Sequence, residues 1–251
     1  VRESLDPKTR FSDRAEIYAR SRPSYPLAAG KILHEIVRPA WTAEMAAGTG
    51  LFTQTLLEAG HTVTALEPNA EMREEARRRL GGKITLLSGS AEETGLETGS
   101  VPMIVAAQAF HWFDRERTRA EWLRILIPDG WVALVRNIRD ASAAPEQWDG
   151  HRAITNQFRL DVQPHPPYES DADSVKGFMR VVGRFQFVHA DSLTREDVLA
   201  RMLSFSAMPL PGSSNYPDAE RSILDWFDKF NDNGRLNWPL VTNVLVGKIA
   251  L

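Results

Sequence analysis

The sequence predicts an α/β protein: an open, doubly wound, mostly parallel sheet of seven strands, with helices on both faces and a mostly helical insertion late in the chain. Three observations carry this reading. Between about residues 27 and 137, strand-like apolar runs alternate with stretches of helical periodicity, as parallel βαβ units require. Gly60, Gly81-Gly82 and Pro128-Asp129-Gly130 punctuate the alternation with stop and turn chemistry. After Asp140 the rhythm breaks, and β-rich character returns only at Leu240–Leu251.

Taken in order, the strand-like runs are Thr42–Met45, Thr62–Glu67, Ile84–Ser88, Val101–Ala107 and Trp131–Asn137. In the first helical stretch between them, Phe52, Leu56 and Ala59 share a face; in the second, Asn69 caps a stripe of Met72, Ala76 and Leu80. A third helix, about Arg115–Leu126, closes at the Pro128-Asp129-Gly130 turn. Residues 141–180 read as polar and irregular, with Pro145, Pro164, Pro166 and Pro167. Beyond them come a strand at Arg184–His189, a helix at Thr194–Phe205 capped by Thr194, and a helix at Asp218–Phe230. This divides one domain into an amino-terminal lid with first helices (1–40), a core (41–140), a strand plus helical insertion (141–235) and a returning strand (236–251). In such sheets ligands bind beyond the carboxyl ends of the strands, near the point where strand order reverses.

Composition narrows the function. A net charge of −3 gives no general pull toward nucleic acid or anionic membrane. Arg73, Arg77, Arg78 and Arg79 read as a solvated face complementing a helix dipole. Without cysteine there are no disulfides, thiolate zinc sites or cysteine nucleophiles. His34, His61, His151, His165 and His189 show no metal-ligand spacing, so no metal is expected. The charged opening residues and the lack of a long apolar run predict a cytoplasmic protein without a membrane span.

The chemistry-bearing feature is the turn Glu44-Met45-Ala46-Ala47-Gly48-Thr49-Gly50, directly after a strand. Small residues in such a turn let the backbone approach a ligand. The methyl group of Ala46 is expected to be tolerated there at negative φ. Glu67, at the end of the next strand, is placed to accept both hydroxyls of a ribose. Nicotinamide and S-adenosylmethionine sites share this geography. The dinucleotide fingerprint needs a third glycine where Thr53 stands, so the spacing favours the methyl donor. Ser90-Ala91-Glu92, after the third strand, offers an acceptor for an adenine amine, and Met72 is placed to lie over the ring.

Taken with Phe11-Ser12-Asp13, Arg22–Pro26, Leu66-Glu67-Pro68 and Ala107–Phe113, the series resembles class I S-adenosylmethionine-dependent methyltransferases. Within these it is similar to the group of ubiquinone, menaquinone and trans-aconitate methyltransferases. The resemblance covers roughly residues 11–140 and implies a Rossmann-like fold. It implies that Glu44, Ala46, Gly48 and Gly50 form the donor turn, with Glu67 and Pro68 at the ribose. Ala91 and Glu92 would meet the adenine, Gln108 would offer its carbonyl to the methionine amine, and Tyr18 and Arg22 would close over the carboxylate.

Methyl transfer from a sulfonium is an in-line displacement that needs alignment more than a fixed catalytic dyad. His111 is the candidate base, with Phe110 and Trp112 as aromatic surface and Ser204 as a polar contact for the acceptor. Trp148, Phe158, Tyr168, Phe178, Phe205 and Met208 are candidate apolar walls. The expected acceptor is a small, partly apolar metabolite, methylated on a carboxylate or hydroxyl oxygen. A nicotinamide-dependent oxidoreductase and a non-catalytic cofactor-binding module stay open as alternatives.

Overall fold

The computed structural model describes residues 21–38, 41–160, 175–205 and 207–250. Among these, seven strands form one sheet in the order β3-β2-β1-β4-β5-β7-β6. The strands are β1 Trp41–Met45, β2 Thr62–Leu66, β3 Thr85–Leu87, β4 Val101–Ala107, β5 Leu126–Arg139, β6 Met179–Leu193 and β7 Leu236–Ile249. β1 to β5 run parallel, whereas β7 pairs antiparallel with both β5 and β6. The order reverses between β1 and β4, which puts the switch point at their carboxyl ends, just past Met45 and Ala107.

Among the described residues, seven α-helices accompany the sheet: α1 Leu27–Ile36, α2 Leu51–Glu58, α3 Ala70–Leu80, α4 Arg115–Ile125, α5 Pro145–Phe158, α6 Arg195–Leu203 and α7 Tyr216–Phe230. Leu33 of α1 and Phe52 and Leu56 of α2 pack on one sheet face. On the other, Trp122 and Ile125 of α4 join Phe110 and Phe178. Parallel strands covered on both faces bury nearly every side chain, so β4 reads as a continuous apolar run. The last three helices carry a core of their own, in which Ile154, Met202 and Ile223 meet Trp238 and Leu240 of β7.

Local chemistry explains the boundaries. Asn69 accepts from the Met72 amide to start α3, and Thr194 and Asp197 form a reciprocal capping box at α6. Two stretches differ from expectation. Pro145 does not break structure but opens α5, where its preset φ suits the first turn; residues 145–158 are helix rather than irregular chain. The Pro128-Asp129-Gly130 turn persists as a looped interruption inside a longer β5. Leu126 pairs with Val101, then register resumes at Met103 with Trp131, and Asp129 takes φ +59°.

Candidate functional site

At the switch point lies a cavity of about 320 Å³, within the usual range for a small-ligand site. The loops leaving β1, β2, β3 and β4 form its walls. Most of the residues singled out in the sequence meet here: Ala46, Gly48, Glu67, Pro68, Met72, Ala91, Glu92, Gln108 and Trp112.

Glu67 anchors the wall beside the turn. Its Oε2 accepts the Gly48 N–H at 2.9 Å and its Oε1 accepts the Asn69 N–H at 2.8 Å. A carboxylate has about four acceptor positions, so two remain for a ligand's hydroxyls. Burial raises the Glu67 pKa, opposed by these two N–H groups and by Arg73. Arg73 in turn donates to the carbonyls of Glu67 and Pro68 at 2.8 and 2.7 Å. Gly48 has φ +58°, and a Cβ there would point into open space beside Glu67. Backbone can therefore lie against a ligand at this point.

Glu44 sits behind the turn, 1% exposed and outside the cavity lining. Its Oε2 accepts from the Thr53 hydroxyl at 2.6 Å. Burial pushes its carboxyl up to about 8, against the lowering effect of Thr53. Gly50 is likewise a packing residue: with φ +79°, it leaves room for Leu80, whose Cδ1 a Cβ would meet at 2.6 Å. Ala46 departs from expectation, since its φ is +52°, not negative. Gln108, across the switch point, is also left-handed at +56°. Two non-glycine residues in a strained conformation thus flank the cavity, on adjacent strand ends.

The acceptor-side residues are more dispersed. His111 is exposed, in the short 3₁₀ turn Phe110–Trp112, with its ring 4.7 Å from that of Trp112. It borders a second recess of about 40 Å³, shared with Gln108, Ala109, Phe110 and Arg115. Phe110 is buried, its ring edge-on to that of Phe178 at 4.7 Å and under the Arg115 guanidinium at 4.3 Å. Ser204 is fully buried and donates to the Arg201 carbonyl at 2.6 Å, so its hydroxyl serves the end of α6 rather than a pocket. Arg22 donates to the Ser204 carbonyl at 3.2 Å and lies over Phe205; it does not line the large cavity. Tyr18 and Tyr168 lie outside the described residues. Among the wall candidates, Phe158 and Met208 belong to the helical core and Phe178 to a sheet-face core.

Asn69, legible in the sequence only as a cap, and Arg117, not singled out there, also line the cavity, together with Ser90, Phe113 and Asp114. Asp114 is the helix cap that accepts from the Arg117 amide at 3.0 Å, which is the signal that could have found Arg117. Its own N–H donates to Glu92, which ties the loop after β4 to the loop after β3. Among the described residues, no group of His, Asp and Glu is arranged to hold a metal ion, and no helix is long and apolar enough to cross a membrane.

Comparison with known proteins agrees with this geometry. Residues 43–134 match the methyltransferase domain family. An uncharacterized methyltransferase of Mycobacterium tuberculosis is 39% identical over 136 residues, 54% of this chain and 55% of that protein. The chain thus spans about half the length of the first such relatives. An uncharacterized methyltransferase of Geobacillus kaustophilus is 30% identical over 165 residues, 61% of this chain and 75% of that one. In fold, the chain is similar to a structure from Anaeromyxobacter dehalogenans provisionally named a type II methyltransferase. That match has a TM-score of 0.67 and 21% identity, covering 90% of this chain and 97% of the other.

Proposed function

The chain belongs to the methyltransferase domain family, and from that premise we propose that it transfers a methyl group from S-adenosylmethionine to a small, partly apolar metabolite. The observation that carries this reading is the Glu67 carboxylate in the cavity wall, held by the Gly48 and Asn69 N–H groups with two lone pairs to spare. A vicinal diol matches those lone pairs, and the donor's ribose has one. Ala46 and Gly48 would present backbone to the ligand, with Pro68 and Met72 beside the nucleoside. Ala91 and Glu92 would meet the adenine edge, and the Gln108 carbonyl would receive the amine. Arg22 and Tyr18 would approach from the amino-terminal segment. The finer likeness to ubiquinone, menaquinone and trans-aconitate methyltransferases belongs to the same proposal.

When bound, the donor supplies an electrophilic methyl on a sulfonium, with a neutral thioether as leaving group. The protein's share is alignment and exclusion of water. Trp112 and Phe113 border the cavity and offer aromatic faces that suit a cation. His111 follows the end of β4, beside Gln108 and Ala109. In this reading it takes the proton of an acidic hydroxyl or carboxylic acid as the oxygen is methylated.

The test has two arms. S-adenosylhomocysteine should raise the melting temperature where NADH does not. Tritium from labelled S-adenosylmethionine should enter a product when the protein is incubated with metabolite extracts, and that product identifies the acceptor. Stabilisation by NADH alone would overturn the cofactor assignment. Homocysteine-derivative binding without transfer over diverse extracts would favour a binding module over an enzyme.

A further inference from the structure

Beyond β5, the edge of the helical core holds polar atoms without the partners that burial demands. Arg139, the last residue of β5, lays its guanidinium 4.0 Å from the Trp238 ring centroid and 5.2 Å from that of Trp226. Its Nη2 donates to Gln147 at 3.2 Å, while Nε and Nη1 are buried without a hydrogen-bond partner. His151 of α5 is only 8% exposed, and both its ring nitrogens lack a partner. Its ring stacks on Trp148 at 5.6 Å and meets Trp238 edge-on at 5.5 Å. The Trp226 Nε1 is also buried with no acceptor. Three neighbouring side chains therefore gather five orphaned atoms. Buried polar groups in folded proteins are nearly always paired, so such a concentration calls for a ligand.

Charge and donor count give the ligand's sign. Arg139 offers N–H groups on both free nitrogens and cannot shed its charge near neutral pH, even though burial lowers its pKa to about 10. Neutral His151 and Trp226 add further donors. The neighbouring Arg201 is already served, by Asp191 at 2.7 Å and by the Ser21 carbonyl at 2.6 Å. No carboxylate among the described residues pairs with Arg139 in this way. The tryptophan faces frame the cation and leave an apolar margin around it.

We propose that Arg139, His151 and Trp226 form the anchoring subsite for an anionic group, a carboxylate or a phosphate, on the methyl acceptor. Naming the ligand as the acceptor rests on the methyltransferase reading; the anion site itself does not. Its place in the fold supports the link. The Gln108 side chain, at the large cavity, donates to the carbonyl of Asn137. Arg139 stands two residues further along the same strand, roughly 7 Å beyond that contact. A metabolite-sized molecule spans that interval. An oxygen engaged by a guanidinium is a poor nucleophile, so the anchored anion is a handle and not the atom methylated.

The experiment follows tryptophan fluorescence of the full chain during separate titrations with benzoate and inorganic phosphate. Binding of S-adenosylhomocysteine is measured in parallel by calorimetry. Wild-type protein should show a saturable response to at least one anion, and the stronger of the two identifies the anionic group. Arg139→Gln should weaken that response at least ten-fold and leave S-adenosylhomocysteine binding unchanged. If Arg139→Gln loses its near-UV circular dichroism, His151→Gln takes its place, with at least a three-fold weakening expected. No saturable response to either anion, or equal affinity in the folded variant, would overturn the subsite. Anion binding in a protein that fails to bind S-adenosylhomocysteine would sink the methyltransferase reading and leave the anion site standing.

Discussion

The Thr53 hydroxyl donates to the Glu44 carboxyl at 2.6 Å, tying the first turn of α2 to the end of β1 beneath the candidate donor turn. The position that argues against a dinucleotide fingerprint therefore has a positive task. It satisfies a carboxyl that would otherwise be buried without a partner. Burial raises the Glu44 pKa to about 8, so near neutral pH the group is mainly the uncharged acid.

That shift fixes the sign of a pH effect. Between the unfolded value near 4.5 and the folded value near 8, the folded state holds a proton that the unfolded state has released. Stability conferred by the neutral acid is therefore present at low pH and lost as pH rises through about 8, at about 1.4 kcal/mol per unit of difference. Glu44→Gln keeps an acceptor for Thr53 and cannot ionise. Thermal melts from pH 5 to pH 9 should show a shallower decline for the variant, which overtakes wild type at the alkaline end. Glu67 shifts in the same direction but is common to both proteins, so an unchanged slope would remove Glu44 as the source.

Ala46 offers a second test. A left-handed alanine costs about 1–2 kcal/mol, and glycine gives back about 0.5–1 kcal/mol through the freedom of its unfolded chain. Ala46→Gly should therefore stabilise the protein by roughly 0.5–1 kcal/mol, read from urea denaturation midpoints. A loss of stability would mean that the methyl group makes contacts outweighing the strain.

Glu67→Gln replaces one acceptor oxygen with an amide that faces a backbone N–H. One of the bonds to Gly48 or Asn69 is then lost, together with the charge that would hold a diol. Hydrogen bonds to charged groups contribute about 1.5–3 kcal/mol, so affinity for S-adenosylhomocysteine should fall roughly 10- to 100-fold by calorimetry. Unaltered affinity would place the ribose elsewhere.

His111→Gln addresses the reaction. Because His111 is exposed and lies outside the large cavity lining, donor affinity should be preserved while kcat falls about 10²-fold or more, as loss of a general base does. An unchanged kcat at saturating substrates would show that the acceptor reaches the methyl already ionised.

What the residues disclosed in advance follows from the range of the interactions involved. The strands of the parallel core were readable because burial on both faces makes them short apolar runs, and Asn69 and Thr194 because a cap acts within three residues. Glu67 and Gly48 were readable because neighbouring strand ends are separated by one helix of predictable length. Two kinds of feature were not. Backbone conformation at Ala46 depends on how β1 hands the chain to α2, which residue type alone does not encode. The cluster at Arg139 joins residues from β5, α5, α7 and β7, and only the packing of those four elements brings them together. Ser204 failed for a related reason: a serine at the end of a helix can bond back to its own turn, and here it does.

The antiparallel placement of β7 has a consequence for how the chain is made. The segment matching the family ends within β5, at residue 134, yet β5 has β4 on only one side until Leu236–Ile249 arrives. Pairing Arg139 with Leu240 closes a loop of about 100 residues. A ribosome therefore releases the recognisable core with one flank of its sheet open, its backbone donors and acceptors exposed to other nascent chains. Closure waits for β7, so a chain cut short before residue 236 is expected to aggregate rather than persist as a smaller working domain.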